Sequence, residues 1–431
     1  MERYSEYKDS GVKWLGEIPS HWDPSRNKAI FRETKAVVGK NSKNFTLLSL
    51  TKKGVIVRNL DEGGKFPAEF DTYKIVEPGD FIFCFFDVDE TPRAIGLSTN
   101  KGMITGAYTV LKQNTANSRY FYYYYLSIDD AKALKPLYSG LRKTVPLASF
   151  MSMPIFLPPR AEQDAIVRYL DAATSKIDKA IAMQQKMIDL LNERKQIIIQ
   201  NAVTKGLDEN VEMKDSNCKF LGKIPSTWEV CKTLYVLSMP ITDGPHTTPQ
   251  LFDDGIPFVS AEAVSCGNGY IDFSHIRGYI SDSFYNECCK KYIPQRDDIY
   301  MIKSGATTGK VAIVDTDKKF TIWSPLAVFR VNKKKVLPYF LYYSLQSRYY
   351  QLQVQDKWSF GTQQNIGMRM LEKLILCYPS IEEQAKIVEF IKKNVDNFDS
   401  AISNCQCQIT LLQERKQIII NEVVTGKVKV L

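Results

Sequence analysis

The segment DSGVKWLGEIPSHW, residues Asp9–Trp22, returns in related form as DSNCKFLGKIPSTW at Asp215–Trp228, an offset of 206 positions. A second repeated segment, ERKQIII, stands first at Glu193–Ile199 and again at Glu414–Ile420, an offset of 221 positions. These two repeated segments, the landmarks, follow the same order in both halves of the chain. The sequence therefore contains an internal duplication. The larger second offset means that the second copy holds about 15 extra residues between its two landmarks.

Length and composition indicate a folded protein of at least two domains. A chain of 431 residues is too long for one ordinary core. Its 44% hydrophobic and 24% charged residues are typical of a soluble globular protein. The start, Met1–Trp22, carries charges throughout and lacks the apolar segment of a signal peptide. The apolar run Phe81–Phe86 is too short to span a bilayer. We therefore expect a cytoplasmic protein that is not membrane-bound.

Cysteine use and charge narrow the chemistry further. The nine cysteines are an odd number at scattered positions, which favours reduced thiols over a disulfide framework. No histidine stands near them at the spacing of a zinc site, so we expect no bound metal. The net charge of +9 fits a polyanionic partner but does not require one.

The regions between the landmarks, 23–157 and 229–379, have diverged between the copies. Both are rich in Gly, Pro, β-branched and aromatic residues, with turn signals such as EPGD at Glu77–Asp80. They are predicted to be mixed sheet and helix domains. An aromatic stretch lies near the end of each, Tyr120–Leu126 and Tyr339–Leu345. We place both stretches on helices, with the rings packed on their own sheet rather than stacked on nucleic-acid bases.

Each diverged region is followed by a long segment that contains neither Gly nor Pro, from Ala161 to about Thr204 and from Glu382 to about Thr425. Both segments are predicted to be helices about 60 Å long. Ser380 and Glu383 have the spacing of a capping box at the start of the second helix.

Apolar residues recur in these helices at alternating steps of three and four, as in a coiled-coil seam. The seam positions are Val167, Leu170, Ile177, Ile181, Ile188 and Leu191 in the first helix and Val388, Ile391, Phe398, Ile402, Ile409 and Leu412 in the second. We expect the two helices to pair antiparallel, because that gives each copy the same surroundings about a two-fold pseudo-symmetry axis. The alternative is that each helix lies separately on its own domain.

These patterns predict an α+β protein in which two mixed α/β domains are joined by an antiparallel coiled coil with internal two-fold pseudo-symmetry. The predicted parts are a first domain, 1–157, and a first long helix, 158–206. A second domain, 207–379, and a second long helix with the C-terminal tail, 380–431, follow.

The shared segments also carry a family resemblance over the whole chain. They include the GEIPSHW and GKIPSTW segments that begin at Gly16 and Gly222, the helix starts around Gln163 and Gln384, both ERKQIII segments, TDGPHTTP at Thr242–Pro249, GIPFVS at Gly255–Ser260 and KSGATTGKVAIV at Lys303–Val314. In these features the chain resembles the specificity subunits of Type I restriction-modification enzymes.

The resemblance implies a non-catalytic DNA-binding subunit that serves in phage defence. Each diverged domain would be a target-recognition domain that reads one half of a split, asymmetric double-stranded DNA site, and the helices would set the gap. Two methyltransferase subunits would dock along the helices, and motor-nuclease subunits would join for restriction. S-adenosylmethionine, ATP and magnesium would be bound by those partners, and no cofactor by this chain.

Candidate DNA-contact residues are those whose side chains suit phosphates or base edges. Arg, Asn and Gln can make bidentate contacts with bases, whereas Lys and Thr suit phosphates. The candidates are Lys52, Lys53, Arg58, Arg93, Arg142 and Lys143 in the first domain and His246, Thr247, Lys303, Ser304, Thr307, Lys310, Thr362, Gln363 and Gln364 in the second. GLRK at Gly140–Lys143 is the weak counterpart of GTQQN at Gly361–Asn365.

Two other classes of function are weighed against this interpretation. A self-contained methyltransferase or nuclease is one, but GATTGK at Gly305–Lys310 has three residues between its glycines where a nucleotide-binding loop needs four. Glu212 and Lys214 form an acid and lysine pair in what reads as a solvated linker, and three histidines offer little for a general base. The other class is a coiled-coil scaffold without DNA binding. Steep salt dependence of duplex binding would distinguish a DNA reader from such a scaffold.

Overall fold

The computed structural model describes residues 2–59, 69–114, 117–140, 143–360 and 363–430. The chain divides into two compact units, and each unit takes part of both long helices. The first contains Met1–Gln185 and Gln406–Leu431, and the second contains Lys186–Cys405.

A four-stranded antiparallel sheet forms the centre of the first unit. Its strands lie in the order Phe31–Thr34, Thr109–Gln113, Phe81–Phe83 and Ile95–Leu97. The middle strand Phe81–Phe83 is fully buried, as a strand covered on both faces should be. The other strands are Tyr7–Asp9, Glu17–Pro19, Asp23–Arg26, Leu48–Thr51, Gly54–Val57, Lys74–Val76, Gly102–Ile104 and Pro154–Leu157.

The second unit is built on a sheet of the same order. Its strands are Thr242–Asp243, Leu326–Phe329, Ile299–Ile302 and Val311–Ile313, all antiparallel. The remaining strands are Met213–Asp215, Lys223–Pro225, Glu229–Lys232, Ile256–Val259, Tyr279–Ile280, Thr321–Ile322, Ser359–Phe360, Gln364–Asn365 and Ile375–Tyr378. The Glu212 and Lys214 segment thus enters an exposed strand, Met213–Asp215, which pairs with Lys223–Pro225, rather than an irregular linker.

Shorter helices complete the two units. They are Asn27–Ile30, Ser118–Asp130 and Leu147–Ser152 in the first, and Ala261–Cys266, Asp282–Cys289, Pro338–Gln346, Arg348–Lys357 and Met368–Lys373 in the second. Short 3-10 helices span Gly39–Asn44, Lys135–Leu137, Thr233–Val236 and Phe273–His275. The mixed sheet and helix architecture predicted for both diverged regions is confirmed.

The aromatic stretches lie on helices, as predicted. The helix Ser118–Asp130 buries Tyr120, Phe121, Tyr124 and Tyr125 in the core of its unit. In the second unit, the helix Pro338–Gln346 buries its aromatic residues in the equivalent way. These rings are packing residues, since burial removes them from contact with any base.

Both long helices are confirmed, at Arg160–Lys205 and Ile381–Val424. All twelve predicted seam residues are buried or half-buried, whereas most other positions along the helices are exposed. At the second helix start, the Ser380 hydroxyl accepts a hydrogen bond from the Glu383 N–H at 3.3 Å. The Gln384 side chain folds back and donates to the Pro379 carbonyl at 2.9 Å.

A tryptophan from each repeated entry segment is tied to the first turn of a long helix. Trp22 donates its indole N–H to the Glu162 carboxylate at 3.1 Å, and Trp228 donates to Glu383 at 3.0 Å. Both indoles are almost completely buried. In each unit, the repeated segment that ends in tryptophan is therefore bonded to the start of a long helix.

The same tryptophans also meet the end of a long helix. Gly206, with φ of 76°, and Gly426, with φ of 74°, are the first residues beyond the two helical ends to take the left-handed conformation. A Cβ on Gly206 would lie 3.4 Å from the Trp228 ring, and one on Gly426 would lie 3.1 Å from the Trp22 ring. In each unit, one tryptophan thus contacts the start of one long helix and the end of the other.

Matched ion pairs join the helices within each unit. Lys195 Nζ lies 2.7 Å from Asp399 Oδ1 in the second unit, and Lys416 Nζ lies 2.7 Å from Asp178 Oδ1 in the first. Both lysines, and both aspartates, are related by the repeat offset of 221 positions. No helix in the described ranges is both long enough and apolar enough to span a membrane.

The bond between Trp228 and Glu383 predicts a measurable loss of stability. Trp228→Phe leaves the carboxylate without this donor and should lower the free energy of unfolding by about 1–3 kcal/mol. The matched control is Trp323→Phe, which removes the same atoms from an indole whose buried N–H has no hydrogen-bond partner among the described residues. Chemical denaturation of the two variants measures the difference, and equal losses would show that the hydrogen bond contributes nothing.

Candidate nucleic-acid interface

Three loop segments of the second unit come together at one end of its sheet. The first is TDGPHTTP, which leaves the strand Thr242–Asp243, and the second is the connection 303–310 between the two buried strands. The third is the segment around Gln364. The Gly305 N–H donates to the Gln364 carbonyl at 3.0 Å, and the Ile366 N–H donates to the Lys303 carbonyl at 2.9 Å.

Asp243 is the centre of the charges at this junction. Its side chain is only 1% exposed and lies 2.5 Å from Lys291 Nζ, 3.1 Å from His246 Nε2 and 3.4 Å from Lys303 Nζ. Burial acts to raise the pKa of this carboxyl, but the hydrogen bond from Lys291 and the surrounding positive charges outweigh it. The pKa is therefore lowered from its ordinary value, and the group is an anion at neutral pH.

The glycine of the TDGPHTTP segment is required by a close approach. A Cβ on Gly244 would lie 2.0 Å from the Ile322 carbonyl oxygen, inside any allowed contact. This approach holds the loop against the strand Thr321–Ile322. His246 and Thr247, which follow at once, are exposed.

The GATTGK segment is a turn between antiparallel strands rather than a turn from strand to helix. The Thr308 hydroxyl is turned inward and donates to the Gly305 carbonyl at 2.7 Å. This geometry differs from that of a nucleotide-binding loop, which cradles phosphates at a helix start. Lys310 is exposed, whereas Ser304 and Thr307 are half-buried.

The first unit builds a related junction from different residues. Its strands Phe81–Phe83 and Ile95–Leu97 are joined by the loop 84–94, which pairs with the segment after GLRK. The Asp87 N–H donates to the Lys143 carbonyl at 3.1 Å, and the Val145 N–H donates to the Phe85 carbonyl at 2.7 Å. Lys143 of GLRK and Gln364 of GTQQN thus bond to equivalent connections of the two sheets.

Arg93 forms internal ion pairs and is therefore poorly placed to contact a DNA base. Its side chain is 18% exposed, and its guanidinium lies 3.0 Å from Asp129 and 2.9 Å from Asp130. The sequence pattern could not distinguish this role, because both aspartates come more than 30 positions later. Lys143 lies 2.5 Å from Glu90, but its side chain is half exposed.

The other candidates of the first unit lie on a hairpin. Lys52 and Lys53 form the exposed turn between Leu48–Thr51 and Gly54–Val57, and Arg58 follows the second strand, also exposed. This hairpin packs on the strand Ile95–Leu97. Gln363 is exposed and Gln364 is half-buried, while Arg142 and Thr362 lie outside the described residues.

All three histidines sit beside carboxylates. His21 lies 2.8 Å from Glu162, and His275 lies 2.7 Å from Asp272, in addition to His246 beside Asp243. Within the part of the chain that the structure describes, no cluster of three or more His, Cys, Asp or Glu side chains is placed to hold a metal.

Sequence reasoning missed two members of this junction, Asp243 and Lys291. Asp243 could have been found, because it stands three positions before His246 in a segment already singled out. Lys291 carries no local signal, since it follows the helix Asp282–Cys289 and lies beside Asp243 only in the folded chain.

The family model described as the type I restriction modification DNA specificity domain matches residues 97–187 and 247–411, more than half of the chain. The chain belongs to this family. The predicted resemblance to type I specificity subunits is confirmed, and the chain is a recognition component rather than a catalytic one.

Named relatives agree with this membership, and a solved structure shares the fold. The type I restriction enzyme MjaVIII specificity subunit of Methanocaldococcus jannaschii is 26% identical over 65% of this chain, and the match spans 63% of that relative, less than two thirds. The putative MjaX specificity subunit of the same organism is 24% identical over 98% of both chains. A structure described as the basis of complex assembly and conformational transition of the type I R-M system shares the fold, with a TM-score of 0.66, 16% identity, and coverage of 95% of this chain and 99% of that one.

The close approach at Gly244 predicts that Gly244→Ala disturbs this specificity domain locally. The added methyl group must displace the loop from the strand, and we expect a loss of about 1–3 kcal/mol in the free energy of unfolding. Gly367→Ala is the control, because none of the described residues lies within 4 Å of its Cβ position. Thermal and chemical unfolding of both variants provide the measurement. A Gly244 variant as stable as the Gly367 variant would contradict the close packing of this loop.

Proposed function

We propose that this chain reads a split, asymmetric double-stranded DNA site, with one half-site for each unit. The observation that carries the proposal is the repeated sheet, whose order is the same in both units while the loops at its end carry different side chains. A common framework with different reading loops suits two different half-sites. The exposed lysines on these loops, together with the net charge of +9, supply the attraction to phosphates.

The long helices would pair as an antiparallel coiled coil with two-fold pseudo-symmetry and would set the spacing between the half-sites. Three observations support this part of the proposal. The predicted seam residues are shielded from solvent, the two lysine–aspartate pairs obey the repeat offset, and each tryptophan joins the start of one helix to the end of the other.

We further propose that the outer faces of the helices dock methyltransferase subunits. Apolar side chains are exposed there at heptad spacing, which is unfavourable unless a partner covers them. Those on the first helix are Met183, Met187, Leu190 and Ile197, and those on the second are Phe390, Leu411 and Ile418. Leu190 and Ile197 correspond to Leu411 and Ile418 by the repeat offset, so each copy offers related contacts.

In this assignment the methyltransferase subunits bind S-adenosylmethionine, and motor-nuclease subunits that join for restriction use ATP and magnesium. This chain supplies recognition and assembly. A scaffold that never touches DNA would leave the exposed loop lysines and the junction around Asp243 without a role.

A domain exchange tests the reading function. Replacing residues 23–157 with the matching region of a relative should change one half of the methylated sequence and leave the other half as it was, because each unit carries its own loops. Methylation-aware sequencing of host DNA measures both halves at once. An exchange that altered both halves together, or a parent complex that methylated no defined sequence, would refute separate reading units.

A pair of substitutions two positions apart tests the helix faces. Ile188 is 7% exposed and Leu190 is 50% exposed. Ile188→Asp buries a charge in the seam and should destabilise the chain by several kcal/mol, lowering its melting temperature. Leu190→Asp should leave the melting temperature close to that of the parent but reduce co-purification with the methyltransferase subunits. The reverse pattern would overturn the assignment of seam and docking face.

A further inference from the structure

The charges around Asp243 come from three separate segments of the second unit. His246 follows it in the same loop, Lys303 begins the connection between two buried strands, and Lys291 comes from beyond the helix Asp282–Cys289. A carboxylate that is 1% exposed costs free energy to bury, and its attraction to these groups offsets that cost. These ion pairs form only when all three segments occupy the positions seen in the structure.

The positive groups differ in how much of them reaches solvent. The side chain of Lys303 is 12% exposed, that of Lys291 is 50% exposed and that of His246 is 72% exposed. Lys303 therefore contacts the carboxylate from the protein interior, while the polar ends of Lys291 and His246 face solvent. A cavity of about 180 Å³ opens beside Lys291, and Asp243, Thr247 and Glu287 also line it.

The anchored lysine is in turn bonded to the remaining recognition segment. The Lys303 carbonyl accepts the Ile366 N–H at 2.9 Å, next to Gln364. One carboxylate thus connects the TDGPHTTP loop, the 303–310 connection and the Gln364 segment. Two cations and a partly exposed histidine surround a single anion, so the outward side of the junction favours an anionic ligand.

We propose that Asp243 is a positioning residue for DNA recognition by the second unit, and that the Lys291 and His246 side chains it holds contact one backbone phosphate of the target duplex. The inference rests on the proposed reading function and adds a specific phosphate site to it. A fixed phosphate contact sets the register in which neighbouring side chains meet the base edges. The role of Asp243 is therefore in specificity, although it touches no DNA itself.

The Asp243→Asn variant distinguishes a positioning role of this residue from a purely electrostatic effect on DNA binding. The substitution removes a negative charge, so electrostatics alone would strengthen binding to any DNA. Loss of positioning should instead weaken binding to the specific duplex while non-specific binding stays equal or rises, and the ratio of the two affinities should fall about tenfold or more. The measurement is equilibrium binding by the full chain assembled with its methyltransferase subunits, to target and scrambled duplexes over a series of salt concentrations.

Glu287→Gln is the matched control, because Glu287 lines the same cavity from an exposed position and loses the same charge. It should leave the affinity ratio near that of the parent. An Asp243→Asn complex that behaves like the Glu287→Gln complex would overturn the positioning role. A parent complex without preference for its target would instead refute the reading function on which the inference rests.

Lys291→Gln keeps the proposal testable if the Asp243 variant does not fold, since this side chain is half exposed. It should weaken binding to both the specific and the non-specific duplex. The slope of log affinity against log salt should also become shallower by about one, as expected when one phosphate contact is lost. An unchanged salt slope would show that Lys291 does not contact phosphate.

Discussion

The buried hydrogen bond between tryptophan and glutamate fixes how each unit is attached to the long helices. Glu162 and Glu383 lie in the first turns of the helices, where unpaired backbone N–H groups favour a carboxylate. Each carboxylate accepts an indole N–H from the repeated segment that precedes the diverged region of its unit. Because the same indole packs on the glycine that ends the other helix, one side chain defines where both helices meet the domain.

This attachment explains why the entry segments and the helices are alike in both copies while the regions between them differ. The anchored parts must keep their contacts, whereas the loops at the end of each sheet also present exposed side chains, such as His246 and Lys310 in the second unit. The second unit places a buried carboxylate among cations there, and the first unit places Arg93 against two aspartates. The two junctions share a backbone arrangement and differ in charge, which fits domains that read different sequences.

The family match and the geometry of the site give different kinds of information about this chain. The family model establishes a specificity domain, and the fold of a type I R-M structure matches nearly the whole chain. Neither identifies which side chains meet DNA. The structure shows that side chains such as Lys52 and Lys310 are exposed, whereas Arg93 is held in an internal ion pair.

The sequence by itself determined the duplication, the two long helices, the solvent-shielded positions along them and the aromatic helices, because each depends on local spacing that a linear pattern records. It also located the loops that the fold brings together. Only the tertiary structure decided that Arg93 is internally paired, that Lys291 joins Asp243, and that the indole of Trp228 bonds Glu383. Those contacts join residues between 36 and 155 positions apart, and no local spacing encodes them.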